Sequence, residues 1–402
     1  MRVGHAAMDG RHLLNLLVLL VVIVGHLLLV RGVIARLYRY AMPWSLWLAV
    51  WFVMLTVGVV VPWVLVQRVG LHGPRVLRGG SWMRAPVGWQ VYAGACAVAF
   101  VVTNLRRYFP HRPRALVSSR GETVDVAGRI GARPAAAGPR RMLARLPGNE
   151  LFHIEIAERE LALPGLPAGL DGLSILHLTD LHLNGTPGRE FFEHALELTR
   201  PLRPDLVALT GDILDRHAMK DWLPTTLGRL EAPLGCYFVL GNHDALDEPG
   251  KIRAAMTELG WVDVGGRAVT RDGPGGSVVV AGTERPWLGA DPPAPNDASR
   301  AALRLLLSHT PERFAWGAAA GFDLVLAGHL HGGQIDLPLF GPISGGRYHA
   351  GVFSSGRTVM HVSRGLGAMF PVRWNCPAEI TKLVLRRADQ PPSVAVGSAR
   401  RR

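Results

Sequence analysis

Cysteine is scarce in this chain of 402 residues: only Cys96, Cys236 and Cys376 occur. They lie far apart and make no C-x-x-C pair, which excludes a disulfide framework and a thiolate zinc site. All three read as buried thiols. Lysine is confined to Lys220, Lys251 and Lys382, so nearly all positive charge is arginine. Acidic residues are almost missing from the first 145 positions, which hold 19 Arg against three Asp or Glu, a net +16. The whole chain carries +13, so the remainder is net −3. That remainder lacks the basic surface that tight binding to a phosphate backbone needs, and no nucleic-acid partner is expected.

Long apolar runs are present, and all of them lie in the N-terminal third. Residues 13–30, LLNLLVLLVVIVGHLLLV, are apolar except for Asn15 and His26 and are flanked by Arg11 and Arg31. That is about the length a helix needs to cross a bilayer core. A second span, 44–66, opens WSLWLAVWF with tryptophans where an interfacial belt would put them; a third, 87–103, is shorter and weaker. The first run continues into RGVIAR without a small-residue cleavage site, so it reads as a retained anchor and not a cleaved signal. His26 is given no role, because a lone polar group near a span end can reach a neighbour or the interface. Three spans put the two ends of the chain on opposite sides. The tail and second loop hold six Arg and the opposite side eight, so the positive-inside rule predicts a cytoplasmic C-terminal domain on a multi-pass cell-membrane protein. Residues 1–103 form the expected transmembrane region, with membrane lipids as partners. Residues 104–150, with ten Arg among Pro, Gly and Ala, read as a basic linker, either drawn to anionic headgroups or simply solvated.

From residue 151 the pattern changes to short apolar runs separated by helical stretches, which indicates an α/β fold. Five of those runs end in oxygen or imidazole groups. SILHLTDLH delivers Asp180 and His182, LVALTGD delivers Asp212, and YFVLGNHD delivers Asn242, His243 and Asp244. LLLSH delivers His309, and LVLAGHLH delivers His329 and His331. Strands of such folds present their carboxyl ends to one crevice, so these groups are expected to converge. Asp180 with His182, and His329 with His331, sit at i and i+2, which on extended backbone would point both side chains to one face. Gly211, Gly241 and Gly328 let the chain turn and approach the site closely. Any one histidine or one GD pair alone carries little. Seven such ligands exceed what one ion can use, whereas two divalent cations sharing a carboxylate can use them, as in phosphoester hydrolysis. Carboxylate, imidazole and amide oxygen without thiolate suit manganese, iron or zinc.

The order D-x-H, GD, GNHD, H, GH-x-H resembles the calcineurin-like metallophosphoesterase family, and GHLHGGQ with SRGLG and CPAEI resembles its membrane-associated, YkuE-type bacterial branch. The resemblance covers roughly residues 151–385 and leaves 386–402 as an expected disordered tail. It implies a four-layer αββα sandwich, here preceded by about three transmembrane helices. It implies that Asp180, His182 and His331 ligate one metal, that Asn242, His309 and His329 ligate the other, and that Asp212 bridges them. His243 would act beside the scissile phosphate as a proton donor or charge stabiliser, with Asp244 orienting its ring, and a metal-bridging hydroxide would attack phosphorus in line. Leu330 departs from the small polar residue usual between the two histidines. Arg347 and Arg364 are candidate phosphate contacts, with surface salt bridging the commoner role for each. His177, His194, His349 and His361 read as structural.

The expected function is therefore metal-dependent hydrolysis of a phosphodiester or diphosphate bond in a phosphorylated small-molecule or lipid-linked substrate, since tethering near lipid favours the latter. The rivals are a nuclease or a protein or nucleotide phosphatase of the same fold, and a non-catalytic membrane receptor, which would have lost ligands that are all present here.

Overall fold

A computed structural model of the chain describes residues 10–37, 43–109, 113–134, 139–295, 302–343 and 346–388. The chain divides into two compact units, Met1–His111 with Leu337–Arg347, and Arg112–Asp336 with Tyr348–Arg402.

The first unit holds three long helices, α1 (Gly10–Leu37), α2 (Trp44–Leu65) and α3 (Val87–Tyr108). With the π-helical turn that continues α2 to Leu71, they are long and apolar enough to cross a membrane, at mean hydropathies of 2.9, 2.4 and 1.3. The third is the least apolar, as its sequence predicts, but it runs on to Tyr108. Two polar side chains of α1 find partners inside the unit. Asn15 donates to the carbonyls of Val76 and Gly80, each at 2.9 Å. His26 lies 2.6 Å from the Tyr92 hydroxyl on α3 and 3.2 Å from the Val57 carbonyl on α2, so it ties three helices together. Gly25 is small because a Cβ there would meet the Cys96 backbone oxygen at 2.0 Å, the signature of close helix approach at a small residue.

The strands of the second unit's two sheets, numbered in chain order together with the short pair β11 and β12, are β1 (Leu116–Asp125), β2 (His153–Leu163), β3 (Ser174–Leu178), β4 (Leu206–Thr210), β5 (Cys236–Val239), β6 (Val262–Asp263), β7 (Ala268–Gly273), β8 (Gly276–Thr283), β9 (Ala302–Ser308), β10 (Leu324–Ala327), β11 (Asp336–Leu337) and β12 (Gly341–Pro342), which pair with each other, β13 (Gly351–Ser355), β14 (Thr358–Val362) and β15 (Ala378–Arg387). One sheet runs β1-β2-β15-β3-β4-β5-β6 and the other β13-β14-β10-β9-β8-β7. Alternation along each strand sends side chains to two cores. Ile175, Leu206, Ala208 and Tyr237 of the first sheet meet Val278, Leu305 and Leu326 of the second in the layer between them. The other face of the first sheet packs Leu176, Leu178, Val207 and Phe238 on Phe191 and Phe192 of α6 (Arg189–Glu197) and Ile252 and Met256 of α7 (Pro249–Glu258), helices that follow the short α4 (Val126–Ile130) and α5 (Pro139–Ala144). The second sheet packs Leu306, Val325 and Met360 on Phe314 of α8 (Phe314–Ala319). Helix, sheet, sheet and helix give the four layers.

The basic stretch 104–150 holds regular structure in its described part. Its residues 116–125 form the edge strand β1, paired antiparallel with β2 from Leu116↔Leu161 to Asp125↔His153. Only Val124 of that strand is buried, so no apolar alternation marks it; pairing with β2 makes it a strand. The insertion Leu337–Arg347 also departs from a continuous 151–385 domain, because it groups with the helices. There Arg31 donates to the Phe340 and Pro342 carbonyls at 2.7 and 2.8 Å, and Asn104 to that of Leu339 at 2.9 Å. At the other end β15 reaches Arg387, and residues 389–402 lie outside the described residues.

Candidate metal centre

Strands β3, β4 and β5 are mutually parallel, as are β8, β9, β10 and β14. The sequence-predicted ligands sit just past their carboxyl ends. The loops are laced to one another by main-chain hydrogen bonds, Asp180 N to Gly211 O and His182 N to Asp212 O, each at 2.9 Å, and Gly328 N to His309 O at 3.0 Å.

The i, i+2 pairs are not on extended backbone. Asp180, His182, Asp212, His329 and His331 all have left-handed φ, between 46° and 73°. Each such residue costs on the order of 1 kcal/mol and persists only where its surroundings enforce it, and such strain gathers at functional sites. The three glycines act by two routes. Gly211 has φ +91°, whereas a Cβ at Gly241 or Gly328 would come within 2.1 Å of Asp212 Oδ1 or Asp180 Oδ2.

The side chains fall into overlapping groups. Asp180, His182 and His331 form one, with His182 Nε2 2.9 Å from His331 Nε2 and 3.8 Å from Asp180 Oδ1. Asp212, His309 and His329 form another, with Asn242 Oδ1 3.0 Å from His309 Nε2. Asp212 Oδ2 faces both, 3.2 Å from His309 Nε2 and 3.5 Å from His182 Nε2. His329 and His331 therefore part company, one to each group. Trp287, which no sequence signal singled out, packs its ring 5.5 and 5.1 Å from those of His309 and His329.

The electrostatics follow from burial. Asp180 and Asp212 are 0% and 2% exposed. Burial opposes ionisation of Asp212, but the His309 and His182 rings outweigh it and hold its pKa well below the usual carboxylate range. Burial would lower His182, yet Asp215 and Asp212 push it up to about 9; His309 likewise rises to about 9 beside Asp212. His329 is driven down to about 3 by burial and by the His309 charge, which leaves its ring a neutral lone-pair donor. Buried carboxylates converging with imidazole nitrogens and an amide oxygen fit a pair of borderline divalent cations.

Asp244 does not orient His243. Its carboxylate is spent on main-chain N–H groups, those of Gly241 and Ile213 at 2.9 Å and of Leu214 at 3.0 Å, so it shapes the two ligand loops. The carboxylate beside His243 is Asp215, whose Oδ1 lies 3.0 Å from His243 Nδ1 and 2.6 Å from His182 Nδ1. The second aspartate of GDILD follows no apolar run, so only its place in space reveals it. Arg364 is bound to Glu379 at 3.1 Å and to Glu155, and Arg347 falls in the segment grouped with the helices. His177 and His361 meet Nδ1 to Nδ1 at 2.8 Å, His194 Nδ1 lies 2.9 Å from the Glu190 carbonyl, and the His349 main-chain carbonyl accepts from Gly332 N. The three cysteines are buried and free.

Residues 173–333, which span every ligand-bearing loop, match the family model for calcineurin-like phosphoesterases. The chain is 32% identical to the metallophosphoesterase YkuE of Bacillus subtilis over 254 residues, 59% of this chain and 87% of that one. It belongs to the calcineurin-like phosphoesterase family. The phosphodiesterase YaeI of Escherichia coli is 32% identical over 225 residues, 52% of this chain and 81% of that one. The UDP-2,3-diacylglucosamine pyrophosphatase LpxG of Chlamydia muridarum is 26% identical over 288 residues, 56% of this chain and 88% of that one. As a calcineurin-like phosphoesterase the chain is a metal-dependent hydrolase of phosphoester bonds, of a family that uses a dinuclear divalent centre.

Proposed function

We propose that the protein is a multi-pass membrane enzyme, its catalytic unit facing the cytoplasm, that hydrolyses a phosphodiester or diphosphate bond in a lipid-linked substrate. The observation that carries the reading is the position of Asp212, whose one oxygen faces a ligand from each group. Asp180, His182 and His331 would hold one cation, Asn242, His309 and His329 the other, with Asp212 shared and manganese, iron or zinc as occupants. When bound, such a pair supplies the Lewis-acid charge that neutralises phosphoryl oxygens and makes a nucleophile at neutral pH.

The chain's own residues do the rest. His243 is a quarter exposed, within reach of His182 and Asp212, and its Nδ1 is engaged by Asp215. Its Nε2 is the nitrogen left to donate to a substrate oxygen. The lipid-linked part of the reading is supported by the three apolar helices and by the resemblance to a pyrophosphatase whose named substrate is a diacylated sugar nucleotide.

Full-length protein in detergent with manganese is expected to hydrolyse bis-p-nitrophenyl phosphate. Asp212→Ala or His243→Ala should lower kcat by about 10²–10⁴-fold while circular dichroism stays unchanged. Full activity in Asp212→Ala would remove the shared-ligand role. Thin-layer assays against phospholipids and lipid-linked nucleotides test the substrate, and turnover of soluble diesters alone would sink the lipid-linked part.

A further inference from the structure

The loop between β14 and β15 turns large apolar side chains outward beside a metal-ligand segment. Met369, Phe370 and Trp374 are 53%, 46% and 48% exposed. Phe370 and Trp374 are fixed around one residue. Gln334 donates its side-chain amide to the Phe370 carbonyl and accepts from Trp374 N at 3.1 Å. Gln334 lies three residues past His331. Between the exposed side chains the buried Arg373 turns inward, with Nη2 3.4 Å from His331 Nδ1. The patch is thus held by hydrogen bonds to the segment that carries His331.

A cation borders it. Arg140 of α5 donates from Nη2 to the Met369 carbonyl at 3.0 Å, while its buried Nε has no hydrogen-bond partner. Single exposed apolar residues are common, but three within six positions beside a guanidinium form a surface of defined chemistry.

We propose that Met369, Phe370 and Trp374 seat the apolar chain of an amphiphilic phosphoester while Arg140 binds a phosphate oxygen at the same edge. The proposal rests on the lipid-linked reading above and names its substrate class: a phosphoester with a long alkyl or acyl chain close to its phosphate. A guanidinium suits phosphate oxygens, and burying a chain against three large side chains is favourable. A soluble nucleotide would use the cation and leave the apolar side chains idle.

The test uses full-length protein in detergent and two matched diesters, hexadecyl p-nitrophenyl phosphate and ethyl p-nitrophenyl phosphate. The readout is the ratio of their kcat/KM values. The wild type is expected to favour the long chain, and Phe370→Ser combined with Trp374→Ser to lower the ratio by about tenfold. Arg140→Gln should raise KM for both diesters. If the serine variant fails on both, Phe370→Leu with Trp374→Leu decides: a retained ratio supports the seat and a collapsed one overturns it. A chain preference that survives the serine substitutions overturns the seat alone. A wild type that turns over both diesters without preference overturns the lipid-linked reading as well.

Discussion

Asp215 Oδ1 serves two imidazoles at once, at 2.6 Å from His182 Nδ1 and 3.0 Å from His243 Nδ1. Fixing Nδ1 of His182 leaves its Nε2 to face the metal position, and carboxylates behind ligating histidines tune both orientation and basicity. Asp215→Asn is therefore expected to weaken manganese binding, read by titration calorimetry, and to lower kcat/KM by about 10- to 100-fold. Arg373 is the structural counterpart. It is fully buried and donates to the carbonyls of Gly367, Cys376 and Arg364 at 2.6, 3.1 and 2.9 Å. Arg373→Leu would leave those carbonyls unpaired in the interior, at about 1–3 kcal/mol each, and chemical denaturation should show the loss. The ligands themselves were legible as polar residues at the ends of apolar runs. Asp215 and Arg373 were not: neither sits at a run's end, the partners of Asp215 are distant in sequence, and an arginine in a loop gives no local sign that it is buried.

At the scale of the element, the ligand loops depend on glycines as much as on the side chains they present. Gly241→Ala and Gly328→Ala would each drive a methyl against a ligand carboxylate, so both variants should keep the strands and lose metal, measured by elemental analysis beside far-ultraviolet circular dichroism. Strand β1 makes the opposite case. Its ten residues pair with β2 while burying little, so a chain begun at residue 146 exposes the β2 edge and removes Arg140. Unpaired edges associate, and size-exclusion chromatography should show aggregation of that truncation but not of the full chain. Strands β3, β4, β9 and β10 were readable as apolar runs because both their faces lie in cores; β1 was not, because its strand identity comes from pairing with the distant β2.

Across the whole molecule, a buried polar network crosses the sheets. Arg159 pairs with Glu379 at 2.7 Å, and His177 and His361 sit beside them, fully buried. Burial, reinforced by Arg159, lowers His177 from 6.5 to about 3. The unfolded chain takes up a proton near pH 6.5 that the native ring refuses, so the stabilising contribution is whole above that pH and is lost as pH falls toward 3. Urea midpoints should drop over that window, and His177→Gln should flatten the decline. Glu379 acts in the same sense lower down, its pKa held below the ordinary range by Arg159 and Arg364 despite burial. The full chain should also resist carbonate extraction from membranes, given its three apolar helices.

The sequence by itself determined the apolar helices, the layered α/β class, the family and the list of polar strand ends, because each of these is written in local periodicity and spacing. Only the tertiary structure decided that the i, i+2 pairs sit on left-handed turns, that Asp215 and not Asp244 stands behind His243, and that part of a basic stretch is a strand. Those outcomes depend on contacts between residues far apart in the chain, set by left-handed turns and strand pairing that leave no local pattern.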